Sequence, residues 1–361
     1  MTSTLVIQQQ QLDDCLDALW DAPTAALDTE FVRVSTFYPK PGLIQIGVGA
    51  KTWLIDPLAR LEWGRLARWL AEQPECIFHA AAEDYEVLYR LTGALPGRVF
   101  DTQIAASLLT PKPSLSLQAL VEQQLGVTLD KGETRSDWTQ RPLSPSQLHY
   151  AAEDVRVLEP LAETLKVQLN QLDRAQWMAE DMADVLSRVK AHIDGGDVDT
   201  QVARFGNAWR LSERSMARLY ALVSWREDAA RRYDRPRKHI LSDQSIFHLA
   251  TSKSVSRRHQ FVVDAGLSER QADRYGSVIQ ALLADSDDAP VRATPPPPLS
   301  KRQKTQLESL QHAISTIAND YHIAPEVLVK KRDLIAVLDG RGWQPTGWRS
   351  TLIGEVIHAF S

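Results

Sequence analysis

Residues 25–32 read "AALDTEFV": an apolar run that breaks for Asp28, takes one neutral residue, and then places Glu30. Along a strand, residues i and i+2 share a face roughly 7 Å apart, so both acids would point at one spot. Two carboxylates in a poorly solvated place must share a proton, find a cation or hold a metal. An edge strand with a polar outer face is the ordinary alternative for a lone Asp-x-Glu, so other residues must decide between them.

Working outward, "TAALDTEFV", "GLIQIGVG" and "TWLIDP" follow one another with short connections rich in Pro, Gly and Lys, which suits a meander of hairpins. Upstream, an amphipathic segment covers Leu12 to Trp20. Downstream, Leu61 to Glu72 is helical in pattern, "ECIFHA" reads as a buried strand, and "AEDYEVLYRLTG" as a helix closed by Gly93. A short strand "RVFDT" and helical runs from Thr102 to Leu109 and Ser114 to Leu125 complete the series. Three meandering strands followed by alternating helix and strand predict an α/β fold, a mixed sheet covered by helices. After the polar segment "GVTLDKGETRSDWTQRPLS", a helix begins with Ser144 as N-cap and Pro145 at the first helical position, and its pattern extends to about Asn170.

The 361 residues predict two or three domains, and the 43% apolar content is ample for their cores. Two cysteines, Cys15 and Cys76, sit in separate elements without metal-ligand spacing, which argues against a disulfide framework and fits a reducing compartment. The start "MTSTLVIQQQQLDD" lacks the basic and apolar regions of a signal peptide, and no apolar run approaches a membrane span. A cytoplasmic protein without a membrane partner is the expectation. The net charge of -5 conceals an asymmetry: residues 1–204 hold 18 Lys and Arg against 29 Asp and Glu, residues 205–361 hold 23 against 17. A basic tail suits a polyanion, and an acidic body suits metal ions.

That tail is helical in pattern and interrupted by "DSDDAPVRATPPPPLS", whose four consecutive prolines favour an extended spacer. It contains a duplication. "LSERSMARLYAL" from Leu211 aligns without gaps with "LSKRQKTQLESL" from Leu299, and the same offset pairs Ile240 with Leu328 and Ile246 with Leu334. "GSVIQAL" from Gly276 then matches "GEVIHAF" from Gly354 once ten residues are taken from the second copy. The expected organisation is a sheet domain with a connecting helix over 1–204, a first helical module over 205–287, a linker over 288–298 and a shortened second module over 299–361.

Two further acidic features join the first pair. Glu83 and Asp84 open the helix after the fourth strand-like run, where acids also suit the helix dipole, and Tyr150 and Asp154 stand at i and i+4 on the late helix. In a sheet with helices on its faces, these elements can converge at one cleft. Three or four carboxylates make a poor core but a good cage for hard divalent cations, whereas scarce Cys and scattered His disfavour zinc. Two such ions about 4 Å apart clamp the attacking and leaving oxygens of a phosphoryl displacement.

"LDTEF" with Asp28 and Glu30, "HAAAEDYEVL" with Asp84 and "YAAEDV" with Tyr150 and Asp154 resemble, in order and spacing, the three motifs of the DEDD exonuclease superfamily, in its tyrosine-containing subgroup, and within it the ribonuclease D family. The similarity runs through "FVRVSTFYPKPGLIQIG", "FDTQIA" and "LDKGETRSDWTQRPLS" and covers essentially the first 200 residues; the tail resembles HRDC modules. The resemblance implies a ribonuclease H-like sheet followed by two all-α modules, and removal of 5'-monophosphate nucleotides from RNA 3' ends. It also implies that Asp28, Glu30, Asp84 and Asp154 ligand two Mg²⁺ or Mn²⁺ ions, with Tyr150 orienting the attacking water. The implied partner is RNA with a single-stranded 3' end, transfer RNA precursors first; a monomer is the expectation for the chain itself.

His79 and Asp101 are candidates to support the acids, although a satisfied histidine and a helix N-cap are equally good readings of them. Lys131, Arg135 and Arg141 in the irregular segment are candidates to meet substrate phosphates. So are Arg231, Arg232, Arg235, Arg237 and Lys238, which accompany Tyr233 in "RRYDRPRKH". Two other functions fit part of the pattern: a 3'-5' exonuclease acting on DNA, and an inactive RNA-binding adaptor.

Overall fold

Alternation along the Asp28 strand sets the architecture. Ala25 and Leu27 enter one apolar layer while Ala26, Asp28 and Glu30 face the other side. The computed structural model describes residues 2–130, 132–134, 136–195, 198–252, 260–286 and 294–361. Its strands are β1 (Thr2–Val6), β2 (Thr24–Val32), β3 (Lys40–Val48), β4 (Lys51–Ile55), β5 (Glu75–Phe78) and β6 (Arg98–Asp101), in the sheet order β1-β4-β3-β2-β5-β6. β2, β3 and β4 pair antiparallel as the expected meander; β2–β5, β5–β6 and the edge pair β1–β4 are parallel. The sheet is mixed, as the element order predicts.

Helices α1 (Gln9–Leu19), α2 (Gly64–Glu72) and α3 (Ala82–Thr92) cover one face, burying Leu12, Leu16, Trp69, Leu70 and Leu88 against Leu27, Ile44 and Ile46. The other face carries α4 (Thr102–Ser107), α5 (Leu117–Leu125), α6 (Pro145–Arg156) and α7 (Leu158–Gln171). The single late helix expected from the sequence is thus two helices. Pro160 lacks an N–H and its ring would crowd the carbonyl of Arg156, the last residue of α6, so the chain breaks at Val157 and restarts with the proline in the first turn of α7. Helix α8 (Ala175–Asp194) follows.

The chain divides into two compact units: Met1–Val32, Pro39–Lys190 and Leu299–Ser361 form one, and Arg33–Tyr38 with Ala191–Pro298 the other. The second contains α9 (Val198–Val202), α10 (Glu213–Arg232), α11 (Arg237–Ile240), α12 (Asp243–Thr251) and α13 (Glu269–Asp285). The last stretch of the first contains α14 (Lys301–Asp320), α15 (Pro325–Leu328), α16 (Lys331–Leu338) and α17 (Trp348–Phe360). The duplication is visible in these bounds. A shift of 88 residues carries α10 onto α14 and α11 onto α15 end for end, and carries the left-handed Asp234 (φ 47°) onto His322 (φ 54°).

The second copy groups with the sheet in one compact unit. Trp348 stacks on Trp177 of α8 with centroids 4.3 Å apart and planes at 6°, and its indole N–H donates to Asp181 at 3.0 Å. Arg349 pairs with the same carboxylate, and Arg174 donates to the carbonyl of Tyr321 at 2.7 Å. Of the expected proline linker, 288–293 lie outside the described residues. Among the described residues no helix is long and apolar enough to cross a membrane.

Candidate active site

β2 delivers Asp28 and Glu30, with a register irregularity between Glu30 and Phe31, beyond which pairing with β3 resumes at Phe31–Pro41 and Val32–Lys40. α6 delivers Tyr150 and Asp154. Its start is fixed as the sequence predicts: Ser144 accepts from the Gln147 N–H at 3.1 Å, and the Gln147 amide oxygen accepts from the Ser144 N–H at 2.9 Å. The irregular segment before α6 is seated on β3 at Gly42, where an added Cβ would lie 2.6 Å from the Cβ of Trp138, so no larger residue fits.

Carboxylate oxygens of Asp28, Glu30 and Asp154 lie within 4.8 Å of one another. Asp84 stands beside them at the start of α3, accepting from the Thr29 N–H at 3.1 Å and the Thr29 hydroxyl at 2.5 Å. The Tyr150 hydroxyl is hydrogen-bonded to the Asp154 and Thr134 side chains. The five motif residues therefore meet at one place. A cleft of about 270 Å³ opens there, lined by Asp28, Tyr150, Asp154, His79, Gln103 and Gln118 among others.

Burial, then the charges of Asp84, Glu30 and Asp154, push Asp28 well above the carboxylate range. Burial with Asp154 and Asp84 pushes Glu30 up to about 8. Burial raises Asp84 and Asp154 to about 6 against the opposing hydrogen bonds from Thr29 and Tyr150. Burial also raises the Tyr150 phenol, which stays protonated at neutral pH and can donate a hydrogen bond. Such a cluster of acids repels itself at neutral pH. Its all-oxygen donor set and short spacing fit a divalent cation, which would remove the repulsion.

The supporting residues resolve into structure. Asp101 caps α4 at Gln103 and Ile104 and also accepts from the N–H groups of Ala80 and Ala81, at 3.1 and 3.0 Å, so one carboxylate holds the bend that aims α3. Ala80 sits there at φ 60°, unusual for a residue with a Cβ. His79 donates from Nε2 to the Leu115 carbonyl at 3.0 Å and meets the Thr102 hydroxyl at Nδ1, 2.9 Å; burial lowers its pKa. It is a satisfied histidine that also borders the cleft.

Among the expected phosphate contacts, Lys131 and Arg135 lie outside the described residues. Arg141 is turned inward: Nε and Nη2 grip Asp56 at 2.6 Å each, and further bonds reach the carbonyls of Gly42 and Trp138. Burial would raise Asp56, but the Arg141 bonds prevail and hold it low. In the other unit, Arg231 and Arg237 both bond Glu227 and flank the buried Phe37 ring at 5.1 and 4.8 Å. Arg232, Arg235 and Lys238 are exposed beside Tyr233, over which Arg274 also lies at 4.3 Å. Sequence reasoning missed Thr29, Thr134, Gln103 and Gln118; short polar residues between motif acids carry no periodic signal.

The 3'-5' exonuclease family matches residues 4–170, and the HRDC domain family residues 215–283. Ribonuclease D of Pseudomonas paraeruginosa is 36% identical over 348 residues, covering 93% of this chain and 91% of that protein. The chain belongs to the ribonuclease D family. It is a hydrolytic 3'-5' exoribonuclease, and its substrate is RNA. Ribonuclease D of Escherichia coli is 31% identical over 372 residues, 96% of each chain. The crystal structure of Escherichia coli RNase D, described as an exoribonuclease involved in structured RNA processing, covers all of this chain with a TM-score of 0.88 at 29% identity, and 98% of that structure is covered in turn. The sheet with flanking helices and the helical tail belong to the fold of ribonuclease D.

Proposed function

We propose that this ribonuclease D-family chain shortens RNAs with a single-stranded 3' end, transfer RNA precursors first, as a cytoplasmic monomer, releasing one 5'-monophosphate nucleotide per cycle. Asp28, Glu30, Asp84 and Asp154 would hold two Mg²⁺ or Mn²⁺ ions. The observation that carries this reading is the set of three carboxylates within 4.8 Å with a protonated tyrosine hydrogen-bonded to one of them. When bound, the cations would polarise the scissile phosphate and lower the pKa of the attacking water. The protein's part is placement. Thr29 fixes Asp84 through its N–H and hydroxyl, Asp101 fixes the bend before α3, and the capping box fixes where α6 begins and so where Tyr150 and Asp154 face.

Tyr150 would position the water through its hydroxyl, oriented by Thr134 on one side and Asp154 on the other. With its pKa raised, the phenol acts as a hydrogen-bond donor rather than as a base. Arg232, Arg235, Lys238 and Tyr233 of the first module would contact RNA outside the cleft by phosphate pairing and stacking. The test is a time course on a 5'-labelled RNA with a stem and a single-stranded 3' tail, in Mg²⁺, Mn²⁺ or EDTA, beside Asp28→Asn and a matched DNA. A ladder shortening from the 3' end, lost in EDTA and in the variant, is expected. Equal degradation of DNA would overturn the substrate assignment, and activity surviving in the variant would overturn the ligand assignment.

A further inference from the structure

β3 places a glutamine where an apolar residue would be routine. Gln45 interrupts "GLIQIGVG" and is 0% exposed, and neither its amide nitrogen nor its amide oxygen has a hydrogen-bond partner among the described residues. Burying an amide without partners forfeits its hydration with nothing in return, so the position is expensive unless something meets it.

The register says what lies next to it. Gln45 stands directly across from Asp28 on β2, and Leu54 stands across on β4. Opposed residues of an antiparallel pair share a face, with Cβ atoms about 5 Å apart. The layer is closed from above by α6: at Gly47, two residues along on the same face, an added Cβ would lie 3.4 Å from Val155. Leu43 and Leu54 pack there with Ala151 and Trp138, and the Trp138 indole N–H likewise lacks a partner among the described residues. Apolar neighbours cannot satisfy either group. The one polar side chain that the register sets opposite Gln45 is the carboxylate of Asp28.

We infer that Gln45 is a positioning residue for Asp28: its amide, linked through an internal water, fixes the carboxylate in the orientation that binds a divalent cation. This rests on the ligand assignment proposed above. Polar groups standing behind metal ligands commonly change affinity 10- to 100-fold when removed, because they fix the ligand's orientation. Gln45 would act on the metal without touching RNA.

The experiment compares the full chain with Gln45→Met and Gln45→Leu, which keep apolar bulk while deleting the amide, and with Asp28→Asn. Mn²⁺ affinity is read by calorimetry, metal-free stability by thermal unfolding, and kcat and KM on a single-stranded oligoribonucleotide. The expected result for both Gln45 variants is Mn²⁺ binding weaker by about 10-fold, with metal-free Tm unchanged or raised. Their kcat should fall at limiting Mn²⁺ and recover at saturation, with KM for RNA unmoved. Wild-type Mn²⁺ affinity in the Gln45 variants, whatever their Tm, overturns the inference, as does failure of both to fold, because Gln45 would then be a packing residue. If Asp28→Asn also binds Mn²⁺ like wild type, the ligand assignment itself falls; if it weakens binding while the Gln45 variants do not, only the role of Gln45 falls.

Discussion

The two copies of the helical module share a frame and differ in what their surfaces do. Tyr233 closes α10 and its counterpart Tyr321, 88 residues on, closes α14. Tyr233 is 41% exposed, with Arg274 and Arg232 over its ring. Tyr321 instead lies 5.7 Å from Trp177, and its carbonyl accepts from Arg174. The same substitution of roles recurs at the next helix start. Ser242 caps α12 by accepting from the Ser245 N–H at 3.0 Å, whereas Lys330 stands at the start of α16 with no side-chain cap. Duplication has preserved the lengths of the first two helices and the left-handed turn between them, which the backbone needs, and released the exposed side chains to diverge. One copy keeps an open basic and aromatic surface. The other turns that surface into packing against α8.

If this division is right, the largest effect should come from Trp348→Ala. Removing a buried tryptophan that stacks on Trp177 should cost about 3–5 kcal/mol, read by thermal or urea unfolding, and a loss below 1 kcal/mol would break the docking argument. The two units should also answer to pH in opposite senses. In metal-free protein the active-site acids have folded pKa values above their unfolded ones, so their contribution to stability is greatest below about pH 4 and is lost as pH rises through 6 to 8. Glu227 in the other unit is opposite: burial would raise it, but its bonds to Arg237 and Arg231 hold it low, so its stabilisation is present at neutral pH and lost as pH falls below the ordinary glutamate value. Metal-free Tm should therefore drop between pH 5.5 and 8, and saturating Mg²⁺ should flatten that drop; a flat metal-free profile would sink the argument.

Tyr233→Ala should leave stability nearly untouched while weakening RNA binding by about 1–3 kcal/mol, measured by fluorescence anisotropy with an uncleaved RNA in EDTA. Tyr321→Ala should do the reverse, and equal RNA binding loss in both would erase the contrast between the copies. The smallest effect is a gain. Lys330→Ser would restore the cap that Ser242 provides and relieve the repulsion from Arg332 and Arg188, worth about 1 kcal/mol in unfolding.

The sheet and the acids were legible because each has a local signature: alternation in "TAALDTEFV", the Ser144-Pro145 start, and motif acids at fixed spacing. The 88-residue offset was legible for the same reason. What stayed hidden depends on long-range partners. β1 is five residues that pair with β4, some 50 positions away. The break at Val157 turns on Pro160 inside an otherwise continuous apolar pattern. Arg141 looks like loop charge until Asp56, 85 residues earlier, is seen to hold it. Nothing local in Leu299–Ser361 announces that Trp348 belongs on α8.

The stacked pair on α8 also imposes an order in time. Trp177 must wait for Trp348, 171 residues later, before its ring is covered. At a synthesis rate of about 5–20 residues per second, that interval is roughly ten to thirty seconds, during which the sheet can have formed while an aromatic face on α8 is open to water and to other chains. A ribosome that stalls in the proline run would leave a nuclease with its acids assembled and its flank unfinished.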